Sequence, residues 1–387
     1  MQQKTSTLSN ALTWLGAGIS IAEILTGMLF ATMPAWKAYT AVFIGHIIGG
    51  VLMFLAGVIG GDTGKSSMET TKLSFGQNGA KFFSIMNVLQ LVGWTGVMIA
   101  SGAAVANHIS SVGITTWSIV IAALILVWIC LGLTNIGKLN VVVITLLMIT
   151  TIILFTKIGG DDNVVLISDE ALTFGAALEL SIAMPLSWLP LISDYVSVSA
   201  NPRQAARWSM TTYVGISTWM YLIGRNIACT YNTNDLGSVI LGAGLGLIGL
   251  IVVILSTVTT AFLDVYSAGV SWITIAKNHS AKAAGIVAGV LGLVLAIFFD
   301  SSVYEGFLYL IGSVFAPMIA IMMADYFVLG KDNSGEGINV FNMVLWAIGF
   351  VIYRIFLGIS TPIGNTIPVI IIVVALDIIL SKIFRRN

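Results

Sequence analysis

Gly16-Ala17-Gly18-Ile19-Ser20-Ile21-Ala22-Glu23, with Thr26 and Gly27 just beyond, sets a carboxylate among glycines and hydroxyls inside an apolar run. Met184-Pro185-Leu186-Ser187-Trp188-Leu189-Pro190 sets two prolines five residues apart inside another. Proline lacks a backbone donor and disfavours a continuous helix. Discontinuous helices at corresponding positions of two halves mark a transporter's midplane site, where freed backbone groups meet solute or ion. The two runs are the first and sixth of a series, and they correspond if a five-helix repeat starts at each. The plainer alternative is a proline kink with no ligand, which membrane helices tolerate.

The series itself follows from composition. Of 387 residues 57% are hydrophobic and 9% charged, whereas a soluble domain is nearer a quarter charged. Lipid must cover much of this surface, and only helices or closed barrels satisfy their backbone there. The alternation of a barrel is absent, so the chain reads as an all-α integral membrane protein of about twelve transmembrane helices, each near the ~20 residues that span a bilayer. The expected spans are 12–33, 38–60, 82–105, 116–134, 139–156, 172–198, 209–229, 246–276, 282–299, 304–329, 340–358 and 366–383. The run Leu236–Gly244 reads as a short interfacial helix. The longest connections, 61–81 and 157–171, leave no room for a soluble domain. The N-terminus lacks a signal-peptide pattern, so its first apolar segment is expected to stay as span 1.

The basic residues test this count. With the N-terminus inside, Lys4, Lys65, Lys72, Lys81, Lys138, Arg203, Arg207, Lys277, Lys282, Lys331, Lys382, Arg385 and Arg386 fall on the cytoplasmic side. Only Lys37, Lys157, Arg225 and Arg354 fall on the other. Thirteen of the seventeen on one side follows the positive-inside rule. The expectation is a multi-pass protein of the cytoplasmic (cell) membrane with both termini inside.

Ionisable groups at bilayer depth mark solute, ion or proton paths by default. Glu23 in span 1 and Asp264 in span 8 are read that way. Asp194 and Asp325 lie near span ends, each followed by tyrosine, and are read as satisfied by a neighbouring helix end or the headgroups. In span 8, Ser256, Thr257, Thr259 and Thr260 offer hard oxygens to a small cation such as Na⁺, or bond back to their own helix. In span 3, Gln90 and Trp94 share a face. Such an indole stacks on a flat heterocycle while the amide pairs with ring edges. Trp188, between the prolines, supplies an opposite wall. Gly242, Gly244, Gly246 and Gly249 read as helix packing, as do Met322 and Met323.

Other classes find no support. Zero net charge gives no footing for nucleic acid. Cys130 and Cys229 have no metal-ligand spacing and no disulfide framework, and His46, His108 and His279 are scattered. Gly61-Asp62-Thr63-Gly64-Lys65-Ser66 lacks the spacing and context of a phosphate loop. No nucleophile–base set suggests an enzyme, and no charge ring or filter repeat suggests a channel. No cofactor and no obligatory protein partner is expected.

Several segments resemble the nucleobase:cation symporter-1 family. Gly61-Asp-Thr-Gly64 and Lys72-Leu-Ser-Phe-Gly-Gln-Asn-Gly79 resemble its connection between helices 2 and 3. Val92-Gly-Trp-Thr-Gly96 is similar to its helix 3 substrate segment. Ser193-Asp-Tyr195 with Asn201 and Arg203 resembles the end of its helix 6. Thr259-Thr260 with Tyr266-Ser-Ala-Gly269 is similar to its helix 8, and Ala324-Asp-Tyr326 to the end of its helix 10. Their order across nearly the whole chain makes the set specific.

The resemblance implies a single transporter domain over 1–387. It would be a five-plus-five inverted-repeat (LeuT-like) bundle, with repeats at 12–156 and 172–329 and two further helices at 340–383. It also implies uptake of a nucleobase or related ring, coupled to Na⁺ or H⁺. Trp94 maps to the stacking residue and Thr259 and Thr260 to sodium-site hydroxyls, with Ser20 beside the helix 1 break as a further ion-site candidate. The cytosine-permease branch has a polar Asn/Asp cluster after Thr260 that binds cytosine. This chain has Ala261, Phe262 and Leu263 there, then Asp264, and Glu23 replaces a small residue of the branch. Ser20–Gly27 and Phe262-Leu-Asp264 instead resemble the hydroxymethylpyrimidine (thiamine-precursor) transporters of the family. Glu23 or Asp264 would then accept from the amino group of a 4-aminopyrimidine and pair with its protonated ring nitrogen. Cytosine or another nucleobase is the alternative solute. An amino-acid carrier of the same fold is the other rival, though Glu23 would repel a carboxylate.

Overall fold

Span 1 is two helices, α1 (Thr7–Gly18) and α2 (Ile21–Leu29), which with a 3-10 turn at Phe30–Thr32 bend by 49° across Ile19 and Ser20. Ser20 takes an extended backbone (φ −130°, ψ 157°), and its hydroxyl accepts from the Glu23 N–H. Ser20-Ile-Ala-Glu23 is thus the first half of a capping box, which starts a helix wherever it falls. The second half is missing, because Glu23 turns its carboxylate away. Ser256 donates to the carbonyl of Ile19 at 2.9 Å, so a backbone acceptor released by the break has a partner.

This computed structural model describes residues 4–131, 133–157, 171–233, 235–242, 244–298 and 304–384. The remaining helices are α3 (Ala35–Thr63), α4 (Ser67–Thr70), α5 (Lys72–Ile109), α6 (Ile114–Leu131) and α7 (Leu133–Lys157). They continue with α8 (Phe174–Val196), α9 (Pro202–Tyr231), α10 (Leu236–Gly242), α11 (Gly246–Ile275) and α12 (Ala281–Ile297). The last are α13 (Tyr304–Met323), which runs on as a π-turn over Ala324–Leu329, α14 (Val340–Phe356) and α15 (Thr366–Phe384). The described residues hold no strand, only an isolated bridge between Thr5 and Ser199. Connection 158–170 and the side chains of Lys138, Lys157, Arg385 and Arg386, used in the charge count, lie outside the described residues.

Length and hydropathy by themselves select seven of these helices as spans, or eight with α1–α2 as one. The contacts at the two ends of the bundle carry the count further. At one end Thr5 pairs with Val198 and Ala200, Arg203 binds Asp62 at 2.8 Å, and the Gln77 and Asn78 N–H groups donate to Glu336 and Gly337. Lys282 there reaches the Cys130 carbonyl, and Lys331 reaches Asp377. At the other end Leu172 N–H donates to Thr32, His108 meets Asp235, Tyr39 meets Asn226, and Glu179 accepts from Asn365. Among the described residues the N-terminus and connections 2, 4, 6, 8 and 10 thus share one face and connections 1, 3, 5, 7 and 11 the other, the arrangement expected of about twelve crossings.

Two expectations change. The prolines do not break span 6: α8 is one helix with Pro185 and Pro190 inside. Its neighbours support it, since Asn87 donates to the Pro190 carbonyl and Gln90 to that of Ser187, both at 3.2 Å. Of the four glycines assigned to packing, only Gly249 meets a neighbour, Ile240; Gly244 (φ 73°) and Gly246 (φ 21°) shape the turn between α10 and α11. Close packing lies elsewhere. A Cβ at Gly27 would strike the Tyr221 backbone, and one at Gly224 the Ile24 carbonyl, so the α2–α9 contact depends on both glycines.

Helix α8 is the axis, with 94% of its apolar window buried, while α6 and α15 bury 33% and 28% and face lipid. The end carboxylates are satisfied as expected. Asp194 accepts from the Ser67 N–H that opens α4 (2.8 Å), and Asp325 binds Lys331 (2.7 Å) and Asn342 (2.6 Å). Glu179, not singled out from sequence, accepts from the Asn365 and Thr366 N–H groups and from the Thr366 and Tyr353 hydroxyls at 2.5–2.8 Å. It ties α8 to the start of α15.

Glu179→Ala leaves those buried donors unpaired and should lower stability by about 3 kcal/mol. The unfolding midpoint in detergent would drop, and less so for Glu179→Gln. With Cys130 and Cys229 changed to Ser, Gly335→Cys and Ser111→Cys should label from opposite faces of sealed vesicles; labelling from one face breaks the twelve-span count.

Candidate functional site

The break in span 1 faces α5, α8 and α11, and the side chains that meet there enclose a buried cavity. Ser20, Glu23, Trp94, Trp188, Thr260 and Asp264 line it, with Met98, Met184 and Ser187. Six of the eight residues singled out from sequence thus converge from four helices. The space between them is small, about 10 Å³, roughly the room for one water. A flat ring enters only if these walls separate, which suits a site that opens and closes.

Each wall is positioned by identifiable contacts. Trp94 packs edge-on against Phe307 and Tyr304, with centroids at 5.5 and 6.0 Å. Its indole N–H is buried without a partner. The Tyr304 hydroxyl lies 2.9 Å from Thr26 Oγ1 on α2. Trp188 stands edge-on to Trp14 at 5.4 Å and donates its N–H to the Tyr213 hydroxyl at 2.7 Å.

The two carboxylates differ. Glu23 accepts from Tyr213 at 2.6 Å and from Ser217 at 2.7 Å. Asp264 is buried yet makes no hydrogen bond or ion pair among the described residues. Thr260 likewise has a buried hydroxyl without a partner. A carboxylate and a hydroxyl aimed into a cavity with nothing to bind are poised for a donor brought by a ligand, since a buried polar group left unpaired costs about 1–3 kcal/mol.

Two expected residues lie outside the lining. Gln90 stands one layer behind it, holding the Ser187 carbonyl and Asn87. Thr259 turns its hydroxyl to its own helix, at the Leu255 and Ser256 carbonyls. With Ser20 capping α2 and Ser256 on Ile19, the hydroxyls expected at a cation site serve as backbone ties, and none is assigned here as a metal ligand.

Sequence reading passed over Tyr213 and Ser217, one turn apart on α9, and His46 on α3. Only the fold brings them to Glu23, and a tyrosine and a serine on an apolar helix carry no signal of their own. A second cavity of about 510 Å³, between Ser66, Glu69, Ala281 and Lys282 at its rim and Phe262 and Tyr266 at its floor, opens on the face of the even-numbered connections. Tyr195 stands between the two cavities, bonded to the Leu263 carbonyl at 3.2 Å and packed on Tyr266 and Trp14.

Known proteins share this fold. Solved structures with the same fold include Mhp1, a nucleobase-cation-symport-1 family transporter, closed with bromovinylhydantoin bound (TM-score 0.81, 17% identity, 98% of this chain and 92% of that one). Its inward-facing conformation also matches at 0.81 (16% identity, 99% and 92%). A Na⁺-coupled sialic acid symporter matches at 0.73 (13% identity, 96% and 88%). The cytosine permease of Escherichia coli strain K12 is 24% identical over 324 residues, covering 82% of this chain and 77% of the permease. The family model described as permease for cytosine/purines, uracil, thiamine, allantoin matches residues 1–335. By that match the chain belongs to this permease family, and it is a multi-pass membrane transporter rather than an enzyme.

Proposed function

We propose that the chain takes up a 4-aminopyrimidine, hydroxymethylpyrimidine in the first place, coupled to entry of a cation. One observation carries this reading: Asp264, without a partner, shares a buried cavity with Glu23 and two indoles. An aminopyrimidine offers a flat face to Trp94 and Trp188, and an amino donor beside a basic ring nitrogen. A carboxylate accepts from the first and pairs with the protonated second, a charge-assisted bidentate contact. Asp264 has both oxygens available for it, whereas Glu23 already accepts two hydrogen bonds. The unpaired hydroxyl of Thr260, one turn before Asp264, suits the hydroxymethyl group.

Cytosine is the second reading, favoured by the cytosine permease relative. Its carbonyl is an acceptor, and Thr260 and the Trp94 N–H are the donors available to it. A solute bearing a carboxylate fits poorly, since both fixed acids of the cavity would repel it. The face with both chain ends is the cytoplasmic one on the positive-inside rule, which makes the 510 Å³ cavity a cytoplasmic vestibule. One helix bundle would rock against the other about the cavity.

Proteoliposomes given labelled hydroxymethylpyrimidine or cytosine, under an imposed Na⁺ or H⁺ gradient, test the solute directly; cytosine preference would turn the assignment to the second reading. Trp94→Ala should weaken uptake affinity about tenfold, the worth of one stacked ring. The double variant Glu23→Gln, Asp264→Asn should abolish pyrimidine uptake, and retained transport would reject the carboxylate contact.

A further inference from the structure

Glu23 is one end of a buried hydrogen-bonded chain that leaves the cavity. Its Oε1 accepts from Tyr213, which in turn accepts from Trp188. Its Oε2 lies 2.7 Å from Ser217 Oγ. On the other side of that hydroxyl, His46 Nε2 lies 2.6 Å away. His46 Nδ1 lies 3.0 Å from the Val42 carbonyl and 2.7 Å from Ser181 Oγ, whose own hydrogen goes to the same carbonyl at 2.8 Å. Glu23, His46, Ser181, Ser217 and Tyr213 are all at most 1% exposed.

The tautomer of His46 sets the count of hydrogens along this chain. A carbonyl oxygen only accepts; with the Ser181 hydrogen also on the Val42 carbonyl, Nδ1 faces two acceptors and carries the hydrogen, and in a neutral ring Nε2 is then an acceptor. An ionised Glu23 is acceptor-only as well. Ser217 has one hydrogen and stands between these two acceptors at hydrogen-bond distance from both. In this tautomer both contacts close only when the chain holds one proton more than a carboxylate and a neutral imidazole. In one arrangement Glu23 Oε2–H donates to Ser217, which donates to His46 Nε2. In the other, Nε2–H donates to Ser217, which donates to a carboxylate. Exchange between them moves one proton across two short bonds with no displacement of heavy atoms.

We propose that Glu23, Ser217 and His46 hold one shared proton, and that this proton is the coupling cation of the transport function proposed above, on which the coupling half of the inference rests. Without the proton Ser217 can serve only one of its two acceptors, and the hold on Glu23 is lost; with the proton on His46, Glu23 is an anion fixed on the cavity wall, ready to accept from an amino group. The proton therefore raises the affinity for solute and the solute that for the proton, as symport requires. The other ionisable groups that face the chain are Tyr213 and Tyr221 on α9, Tyr304 on α13 and Asp264 across the cavity. Tyr221 packs its ring 4.6 Å from that of His46. Glu179, two residues before Ser181, is held at the start of α15. Arg225, two turns beyond Ser217, lies over Tyr39 and bonds Asn226.

The chain has three histidines, so labelled-histidine NMR on the purified protein resolves His46, with His46→Gln as the assignment control. Near neutral pH the expected result is either a doubly protonated His46 ring or a carboxylic-acid infrared band that Glu23→Gln removes. A neutral His46 beside an ionised Glu23 overturns the shared proton. In vesicles, solute entry should carry protons inward. His46→Gln and Ser217→Ala should reduce proton-driven accumulation about tenfold more than they reduce solute exchange. Accumulation driven by Na⁺ alone, or undiminished proton-driven accumulation in both variants, overturns the coupling. If no pyrimidine enters under any gradient, the proposed solute fails, while the spectroscopy still confirms or overturns the shared proton.

Discussion

Backbone polar groups inside a bilayer have no water to turn to, and a helix broken at that depth survives only where protein replaces the water. The break at Ile19–Ser20 is the point on which the rest of the structure depends. Its new helix start is capped by Ser20, and the Ile19 carbonyl is taken by Ser256 of α11. Pairs of glycines let α2 come close enough to α9 for Glu23 to reach Tyr213 and Ser217. Packing, capping and the site are thus one arrangement: a larger residue at Gly27 or Gly224 would move Glu23 as well as the helix.

The buried carboxylates sort by what answers them. Asp194 and Glu179 accept from the first N–H groups of α4 and α15, where the helix dipole favours an anion. Asp325 and Asp377 share Lys331. These four hold the ends of the bundle together. Glu23 meets only uncharged donors, and Asp264 meets none. Both face the same cavity, so the carboxylates that lack structural compensation are the ones next to the break.

The same logic explains why the fold is shared with transporters at 13–17% identity. Lipid-facing positions on α6 and α15 accept almost any apolar side chain, so they drift freely. Close contacts such as α3 on α8, where Gly45 faces Ser181 and Gly60 faces Ser193, fix the backbone and leave the lining side chains free to differ. The cavity lining can then differ on a frame fixed by contacts elsewhere.

The sequence by itself determined the membrane class and the all-helical series, because apolar length and scarce charge are local properties that lipid enforces residue by residue. It also pointed to Glu23, Trp94, Trp188, Thr260 and Asp264, since an acid or an indole deep in an apolar run is conspicuous without its neighbours. Of the two discontinuities it expected, one is present and one is not. The prolines of α8 are a strong local signal that burial of that helix on all sides overrides, while the break expected in span 1 is there, at the Ser20-x-x-Glu23 cap. Only the tertiary structure decided which hydroxyls face the cavity, that Gln90 supports α8 from behind the lining, and that His46 stands one serine away from Glu23. Those facts depend on helix rotation and close approach between spans far apart in the chain, and no periodicity within a single span records them.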